Sequence, residues 1–412
     1  MKLYTEISSC RICGNKQLAP ILELGTQALT GIFPKSRNDE VPAGPLSLVK
    51  CMDGCGLVQL AHNYHLPTLY GDNYGYRSGL NKSMVAHLHA KVERILSQVA
   101  LADGDLVIDI GSNDSTLLQA YPRTAELVGV DPTGVKFKKY YPEHIRLIPD
   151  FFPSKQLSDA IGGRKAKVIT SISMFYDLED PLAFVRAIHD RLADDGVWVF
   201  EQSYMPTMLA MRSYDTVCHE HLEYYALTQI EWMMKKTGMK IIDVEFNAVN
   251  GGSFSVTAAK EASSFAVASS VGAAMDAERE KMLDTLEPYK AFADAIVKHR
   301  DELLAFFTEA KRAGKKVIGY GASTKGNVIL QYCGLTEKYL PCIAEVNENK
   351  FGSVTPGTKI PIVSEADARA QKPDYFMVFP WHFRNTIIER ESAYLAAGGR
   401  LVFPLPKIEI VQ

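Results

Sequence analysis

The chain has 412 residues, more than one average domain holds, and 47% of them are hydrophobic while 23% are charged. This composition supports large packed cores and excludes a disordered chain. The net charge of −3 excludes the basic surface typical of nucleic-acid-binding proteins, and no apolar run is long enough to cross a bilayer. Residues 1–14 have no apolar core of the signal-peptide type, so we expect a cytoplasmic protein whose seven cysteines are ligands or buried thiols.

The first segment, residues 1–65, is rich in glycine and proline, so we expect a small domain that a hydrophobic core alone does not hold together. Four cysteines occur in it as two pairs with 37 residues between them: Cys10, Cys13, Cys51 and Cys55. A glycine follows each pair (Gly14, Gly56), which lets backbone amides turn toward the sulfur atoms. The spacing predicts one structural zinc ion held by four thiolates; the alternative is four unrelated buried thiols.

Residues 66–260 are predicted to form a doubly wound α/β domain. A helical pattern covers residues 66–98, where apolar side chains recur at intervals of four. Four apolar runs, separated by helical segments that include residues 115–118, predict buried parallel strands: Leu106–Ile110, Leu127–Asp131, Val168–Ser171 and Gly196–Glu201.

Residues 261–412 are predicted to form a second α/β domain. Residues 276–312 are rich in alanine, glutamate, lysine and leucine, which predicts one or two long helices that link the domains. The strands predicted after this linker are Lys316–Gly321, Cys342–Glu345, Tyr375–Phe379 and Leu401–Phe403. The predicted fold class is therefore α/β, with a small zinc-binding N-terminal domain and two Rossmann-like domains.

The loop after the first strand of the middle domain, residues 109–114, is a candidate nucleotide site. It contains one glycine, Gly111, and the next strand ends in an acid, Asp131, of the kind that bonds ribose hydroxyls. Because a pyrophosphate normally requires several glycines, this loop suits S-adenosylmethionine, which carries no phosphate; the alternative is an ordinary turn. The predicted cofactor-binding residues are Asp109, Gly111, Asn113, Asp131, Asp150 and Ser171.

A second glycine-rich loop, residues 319–326, opens the C-terminal domain. Its backbone amides and Lys325 favour an anion, and we predict that it holds the nucleotide of a substrate, with Ser323 beside it. Glu345 ends the next strand, where its carboxylate is placed to accept a hydrogen bond from a ribose or a base. The alternatives are a structural turn and a redox NAD site.

The run from Cys218 to Tyr225 places five titratable groups within six residues. Burying so many ionisable groups is costly unless they are paired or used. A His-Glu-His run delivers and removes protons near neutral pH, so we predict that His221 is a general base. The alternative is a structural histidine satisfied by its neighbours.

These motifs, in this order along the chain, carry a family resemblance. They are Cys10-Arg11-x-Cys13-Gly14, Tyr74-Gly75-Tyr76-Arg77-Ser78-Gly79-x-Asn81, Asp109–Asp114, His219-Glu220-His221, Asn250-Gly251-Gly252-Ser253 and Gly319–Asn327. The chain resembles, over its full length, the C-3′-methyltransferases of NDP-4-keto-deoxysugar biosynthesis.

The resemblance implies zinc in the N-terminal domain, S-adenosylmethionine in the middle domain, and substrate between the middle and C-terminal domains. It implies that His221 is the base that forms an enolate, with Glu220 and Tyr76 close by. Some relatives have a tyrosine at the position of Cys218 and a histidine at that of Asp177. Both departures lie near the expected sugar pocket, so they bear on the identity of the sugar. Tyr224 is a further predicted contact in this pocket.

We therefore predict a small-molecule enzyme that acts on an NDP-sugar, without nucleic-acid or membrane partners, as a monomer or small homo-oligomer. Two alternatives remain: an NAD-dependent sugar-nucleotide dehydrogenase or epimerase, and a non-catalytic zinc-knuckle interaction protein. The dehydrogenase is disfavoured because the first loop is poor in glycine and no Tyr-x-x-x-Lys pair lies near the C-terminal loop. The nucleobase and the sugar are not specified by the sequence.

Overall fold

The computed structural model describes residues 3–65, Leu69 and 77–412, and four β-sheets occur within them. The N-terminal strands are β1 Tyr4–Glu6, β2 Leu18–Ala28, β3 Ala43–Cys51, β4 Val58–Leu60 and β5 His62–Tyr64. β2, β3 and β4 form an antiparallel sheet, and the distant strand Glu223–Tyr224 joins it beside β4. The N-terminal domain is therefore built partly from the middle of the chain.

Alternating leucines give this sheet a buried face, which sequence periodicity did not reveal because glycine and proline dominate the segment. Leu22 and Leu24 on β2 and Leu46 and Leu48 on β3 belong to the same core as the C-terminal domain. The expectation of a domain without an adequate hydrophobic core is thus corrected in part, because the sheet buries its apolar face against a neighbouring domain.

The middle domain is a seven-stranded sheet. Its strands are β6 Leu106–Ile110, β7 Glu126–Val130, β8 Ile145–Ile148, β9 Ala166–Ile172, β10 Leu192–Ser203, β12 Met239–Asn247 and β13 Ser253–Lys260, with Glu223–Tyr224 numbered β11. Its helices are α1 Lys82–Gln98, α2 Gly134–Phe137, α3 Lys155–Ile161, α4 Pro181–Arg191, α5 Met205–Ala210 and α6 Leu227–Thr237.

The order across this sheet is β12-β13-β10-β9-β6-β7-β8, and β13 runs antiparallel to both of its neighbours. The direction of winding reverses between β6 and β9, and ligands of such sheets bind at the carboxyl ends of the strands at that point. The helix expected at residues 115–118 is wrong: a single 3₁₀ turn, Leu118–Ala120, is all that follows the β6 loop.

The C-terminal domain contains strands β14 Val317–Tyr320, β15 Ile343–Glu345, β16 Ile362–Ser364, β17 Tyr375–Val378, β18 Arg400–Phe403 and β19 Glu409–Val411. The helix α7 Ser269–Glu280 comes before these strands and packs on the middle domain, where Val271 and Ala274 are buried. The helices that follow it are α8 Glu287–Arg312, α9 Thr324–Tyr332, α10 Glu365–Ala370, α11 Arg384–Arg390 and α12 Ser392–Ala396. The sheet order is β16-β15-β14-β17-β18-β19, parallel except for β19.

The long helix α8 is more than a linker. Its buried residues Tyr289, Phe292 and Ile296 pack into the core that contains the leucines of β2 and β3. The helix thereby fixes the N-terminal sheet against the C-terminal domain, which positions the site that lies between them. None of the helices in the described part of the chain combines the length and the apolar composition that a bilayer crossing requires.

Candidate active site

A cleft of about 420 Å³ lies where the three domains meet, at the carboxyl ends of β6, β7 and β9. Leu29, Gly31 and Ile32 close it from the N-terminal domain, and Lys325 closes it from the C-terminal domain. Nine of the predicted site residues line it: Gly111, Asn113, Asp131, Asp150, Asp177, Cys218, Glu220, His221 and Lys325. Tyr76, a further candidate, lies outside the described residues.

The end of the cleft formed by Gly111, Asn113 and Asp131 suits a nucleoside. Asp131 lines the cleft and accepts hydrogen bonds from the amide of Asn113 at 2.8 Å and from the amide of Thr133 at 2.7 Å. Gly111 has φ +75°, and a Cβ there would lie 3.1 Å from the Met174 side chain. With glycine at position 111, the loop leaves space in the cleft that the side chain of any other residue would occupy.

Asp150 lines the same end, beside Phe151 and Phe152, and accepts from the amide of Phe151 at 2.8 Å. Carboxylates accept from ribose hydroxyls and from an adenine amino group, and phenylalanine rings pack against the base. This arrangement fits S-adenosylmethionine, and Asp131 and Asp150 are the candidate acceptors for it.

Two predicted cofactor residues lie beneath the cleft. Asp109 accepts from Thr170 Oγ1 at 2.6 Å, and burial raises the pKa of the Asp109 carboxyl to about 7. Ser171 is fully buried and accepts from Trp198 Nε1 at 2.9 Å. Neither lines the cleft, so both support the strands that carry it.

Asp131 offers a direct test of the cofactor position. We expect Asp131→Asn to weaken S-adenosylhomocysteine binding by about 10- to 150-fold, since a hydrogen bond to a charged group contributes ~1.5–3 kcal/mol. Isothermal titration measures the loss, and the matched control is Asp103→Asn on the exposed surface of the same domain. Equal affinities of the two variants would place the nucleoside elsewhere.

The two histidines of the His-Glu-His run have different environments. His221 donates from Nδ1 to the carbonyl of Thr216 at 2.8 Å, which leaves Nε2 as the ring nitrogen that accepts a proton. Burial lowers the pKa of His221 to about 4, so the ring is neutral at physiological pH. His219 is fully buried, and its ring contacts the edge of the Tyr64 ring at 4.8 Å, outside the cleft. The geometry therefore distinguishes one base candidate from one packing residue.

Glu220 and Cys218 form a small polar group beside His221. Both residues line the cleft, and burial raises the pKa of Glu220. Glu220 also lies against Gly31, where a Cβ would come within 3.0 Å of Oε1. Tyr224 is buried behind His221, in a second, smaller cavity, and does not reach the main cleft.

The C-terminal glycine loop lines the cleft with Thr324 and Lys325. Ser323 caps helix α9, where its Oγ accepts from the amide of Gly326 at 3.0 Å. Glu345 accepts from the amides of Ala322, Val346 and Asn347 at 2.9, 2.7 and 2.9 Å. These two predicted substrate contacts are thus used within the loop itself, whereas Lys325 faces the cleft.

The four N-terminal cysteines converge on one point. Their Sγ atoms all lie within 4.8 Å of one another, and the distances Cys10–Cys55 and Cys13–Cys51 are each 3.4 Å. Thiolates at ~2.3 Å from a tetrahedral zinc ion are about 3.8 Å apart. At Gly54 a Cβ would lie 2.8 Å from Cys51 Sγ, so the turn requires glycine. The donor set and the spacing fit a structural zinc ion.

Arg11, between two of these cysteines, connects the zinc cluster to the catalytic run, a link that spacing alone did not reveal. Its Nη1 donates to the carbonyl of Leu60 at 2.7 Å and to that of Leu222 at 3.4 Å. Its Nε lies 3.6 Å from the buried carboxylate of Glu223. The residue after His221 is therefore held by the zinc domain.

Three family models match successive parts of the chain. A model described as a zinc binding domain covers residues 10–70, one described as a methyltransferase domain covers 84–244, and one described as a C-methyltransferase C-terminal domain covers 248–406. The chain belongs to the S-adenosylmethionine-dependent C-methyltransferases that carry an N-terminal zinc-binding domain. Its middle domain is the class I methyltransferase fold, and its cofactors are S-adenosylmethionine and zinc.

One characterised relative aligns with nearly the whole chain. The chain is 29% identical to the C-methyltransferase NovU of Streptomyces niveus, over 98% of this chain and 97% of the relative. The assignment excludes the NAD-dependent and the non-catalytic alternatives.

Two solved methyltransferase structures each resemble less than half of the chain. An S-adenosylmethionine-dependent methyltransferase from Clostridium acetobutylicum has TM-score 0.33 and 12% identity, and covers 43% of this chain and 92% of its own. LepI in complex with SAM has TM-score 0.34 and 13% identity, and covers 44% of this chain and 53% of its own. The fold assignment rests on the strand order and the family models.

Proposed function

We propose that this C-methyltransferase methylates a nucleotide-linked 4-keto-6-deoxysugar at C-3′, after His221 removes the proton from that carbon. One observation carries the proposal: a neutral imidazole with Nε2 available lines the same cleft as the nucleoside end defined by Asp131. A base and a nucleoside site in one enclosed volume are what carbon methylation requires.

The chemistry begins with an acidic carbon. A hydrogen next to a ketone is acidic enough for an enzyme base when the enolate is stabilised. His221 Nε2 takes the proton, and the electron pair of the C–H bond passes to the ketone oxygen. S-adenosylmethionine supplies an electrophilic sulfonium methyl, which the carbon takes as the C–S bond breaks.

Other residues of the cleft orient the base and recognise the sugar. Glu220 lies one residue from His221, and we infer that it balances the charge of the protonated ring. Asp177 and Cys218 also line the cleft and are the proposed contacts of the sugar substituents. A contribution of Tyr76 to the pocket remains a prediction.

We further infer that the enzyme acts in the cytoplasm, as a monomer or small homo-oligomer, on a small-molecule NDP-sugar. The seven free cysteines support a reducing compartment. Beyond the end assigned to S-adenosylmethionine, the cleft continues past His221 to Lys325, which supports a second small-molecule ligand in the same volume.

The pH dependence tests the state of the base. Because burial lowers the pKa of His221 to about 4, we expect the acidic limb of kcat/KM to lie near that value, with activity falling as the ring is protonated. Because the pKa of His221 is lower in the folded than in the unfolded protein (~6.5), the free energy of unfolding also decreases as the pH falls below ~6.5. The folded fraction is therefore followed by tryptophan fluorescence, so that loss of activity is separated from unfolding. A midpoint near 6.5 for fully folded enzyme would contradict a buried base.

Substrate identity is tested by incubating the enzyme and S-adenosylmethionine with dTDP-, UDP-, GDP- and CDP-linked 4-keto-6-deoxysugars, carrying a 3-amino or a 3-hydroxyl group. We expect one product heavier by one methylene group, with the new methyl on C-3′ by NMR. Both C-3′ and C-5′ flank the ketone, so methylation at C-5′ would retain the chemistry and overturn the position. Methylation on oxygen or nitrogen would overturn the reaction class.

A further inference from the structure

Two amides at the turn of the glycine-rich loop in the C-terminal domain, those of Gly321 and Ala322, are already paired within the protein. The amide of Gly321 donates to the carbonyl of Ala344 at 2.8 Å, and the amide of Ala322 donates to the Glu345 carboxylate at 2.9 Å. Lys350 donates to the carbonyl of Ala322 at 2.7 Å. An anion in this turn would meet the Glu345 carboxylate and amides that are already paired, so the turn is a poor diphosphate site.

Lys325 points out of this turn and across the domain boundary. Its Nζ donates to the carbonyl of Asn250 at 2.7 Å, at the edge of the cleft. Among the described residues this is its one hydrogen-bond acceptor, so further N–H donors of the ammonium group remain for a ligand.

The loop that carries this carbonyl is fixed in place by two glycines. At Gly252, with φ +123°, a Cβ would lie 2.2 Å from Thr207 Cγ2, and at Gly251, with φ +92°, it would lie 3.1 Å from the Trp381 ring. The loop is therefore wedged between the middle and C-terminal domains. This accounts for the Asn-Gly-Gly motif, since any side chain there would move the carbonyl that holds Lys325.

A buried acid, Asp215, lies close enough to Lys325 for the two charges to interact. Asp215 is fully buried and accepts from Trp381 Nε1 at 2.8 Å. Burial lowers the pKa of Lys325 and raises that of Asp215, while the attraction between the two charges opposes both shifts. The charge of Asp215 therefore favours the protonated form of Lys325, against the cost of burial.

Lys325 and the base face the same compartment. Both line the cleft, together with Cys218 and Glu220. After burial itself, the charge of Lys325 contributes to the lowered pKa of His221 and of His382. A ketone whose α-hydrogen faces His221 would therefore present its oxygen within the field of this ammonium group.

We propose that Lys325 is a catalytic residue that stabilises the enolate oxygen, and that it is not the anchor of the substrate diphosphate. This inference rests on the proposed function. His221 Nε2 takes the proton from the α-carbon, the C–H electron pair passes to the ketone oxygen, and the Lys325 ammonium donates a hydrogen bond to that oxygen while it keeps its own proton. On methyl transfer the pair returns to carbon, and Lys325 leaves the step unchanged.

The test compares Lys325→Met, Lys325→Arg and the surface control Lys311→Met. Exchange of the substrate α-hydrogen is followed in deuterium oxide with S-adenosylhomocysteine bound and the sugar nucleotide saturating, and the dissociation constant of that nucleotide is measured separately. We expect Lys325→Met to lose about 10²–10³-fold in exchange rate, typical of an oxyanion donor, with an unchanged dissociation constant. Lys325→Arg should recover part of the rate, and Lys311→Met should match wild type.

Each other outcome overturns the inference. If Lys325→Met raised the dissociation constant of the sugar nucleotide at least tenfold and left exchange at saturation unaffected, Lys325 would bind the diphosphate and not the enolate oxygen. Equal exchange rates in the Lys325→Arg and Lys325→Met variants would exclude an effect of the charge. If Lys325→Met fails to bind S-adenosylhomocysteine, Lys325→Gln takes its place in the comparison with Lys325→Arg. Failure of the proposed function is distinct, because wild type itself would then neither exchange nor methylate any 4-keto-sugar nucleotide.

Discussion

Replacing His221 with asparagine is expected to lower the rate of C-methylation by about 10²–10⁴-fold, the contribution typical of a general base. Asparagine retains an N–H donor for the carbonyl of Thr216, so the backbone hydrogen bond that orients residue 221 is kept. It has no basic nitrogen in the position of Nε2. The variant should therefore fold and bind S-adenosylhomocysteine while turnover is lost.

His219 provides the matched control within the same run. Its ring is buried against Tyr64 and lies outside the cleft, so His219→Asn should lower the melting temperature and leave the turnover of the folded enzyme near that of wild type. Turnover is measured by mass spectrometry of the methylated product, normalised to the folded fraction. If His219→Asn lost turnover and His221→Asn did not, the two roles would be reversed.

The second large effect is expected on removal of zinc. Structural zinc contributes about 10–16 kcal/mol of apparent binding free energy, comparable to the ~5–15 kcal/mol stability of a whole domain. Cys51→Ser should therefore abolish metal binding and loosen the N-terminal sheet. Because β4 pairs with β11 and Arg11 bonds Leu222, the segment after His221 should lose its support as well.

This effect is measured by metal analysis together with hydrogen exchange of amides 222–226. We expect about one zinc ion per chain in wild type, and faster exchange of those amides in Cys51→Ser. Cys342→Ser is the control, because Cys342 is a buried thiol of the C-terminal domain outside the cluster. A metal-free protein with wild-type protection at residues 222–226 would contradict the link.

The local features of this fold could be predicted from sequence because they are carried by short patterns. Apolar runs identified β6, β7, β9 and four C-terminal strands, and paired cysteines identified the metal cluster. The sequence analysis did not predict the β12–β13 hairpin, although apolar and polar side chains alternate along β13. Phe254 and Val256 lie on one face of the strand, and Ser253 and Ser255 lie on the other.

The composition of the cleft could be predicted only in part, because it depends on how the domains pack. Gly31 and Asn250 reach the cleft from segments that carry no catalytic residue type, and no local pattern brings them to His221. Conversely, Asp109 and Glu345 stand at positions typical of nucleotide contacts, yet their carboxyl groups bond Thr170 and backbone amides. A motif specifies a turn, whereas the neighbouring elements decide which ligand the turn can reach.

The most direct measurement of the central claim is hydrogen exchange at the substrate carbon. Wild-type enzyme is incubated in deuterium oxide with S-adenosylhomocysteine and the 4-keto-6-deoxysugar nucleotide that it methylates, and NMR locates the deuterium. The account predicts exchange at C-3′ in wild type and its loss, by about 10²–10⁴-fold, in His221→Asn. Exchange of that hydrogen at the wild-type rate in His221→Asn would contradict the account.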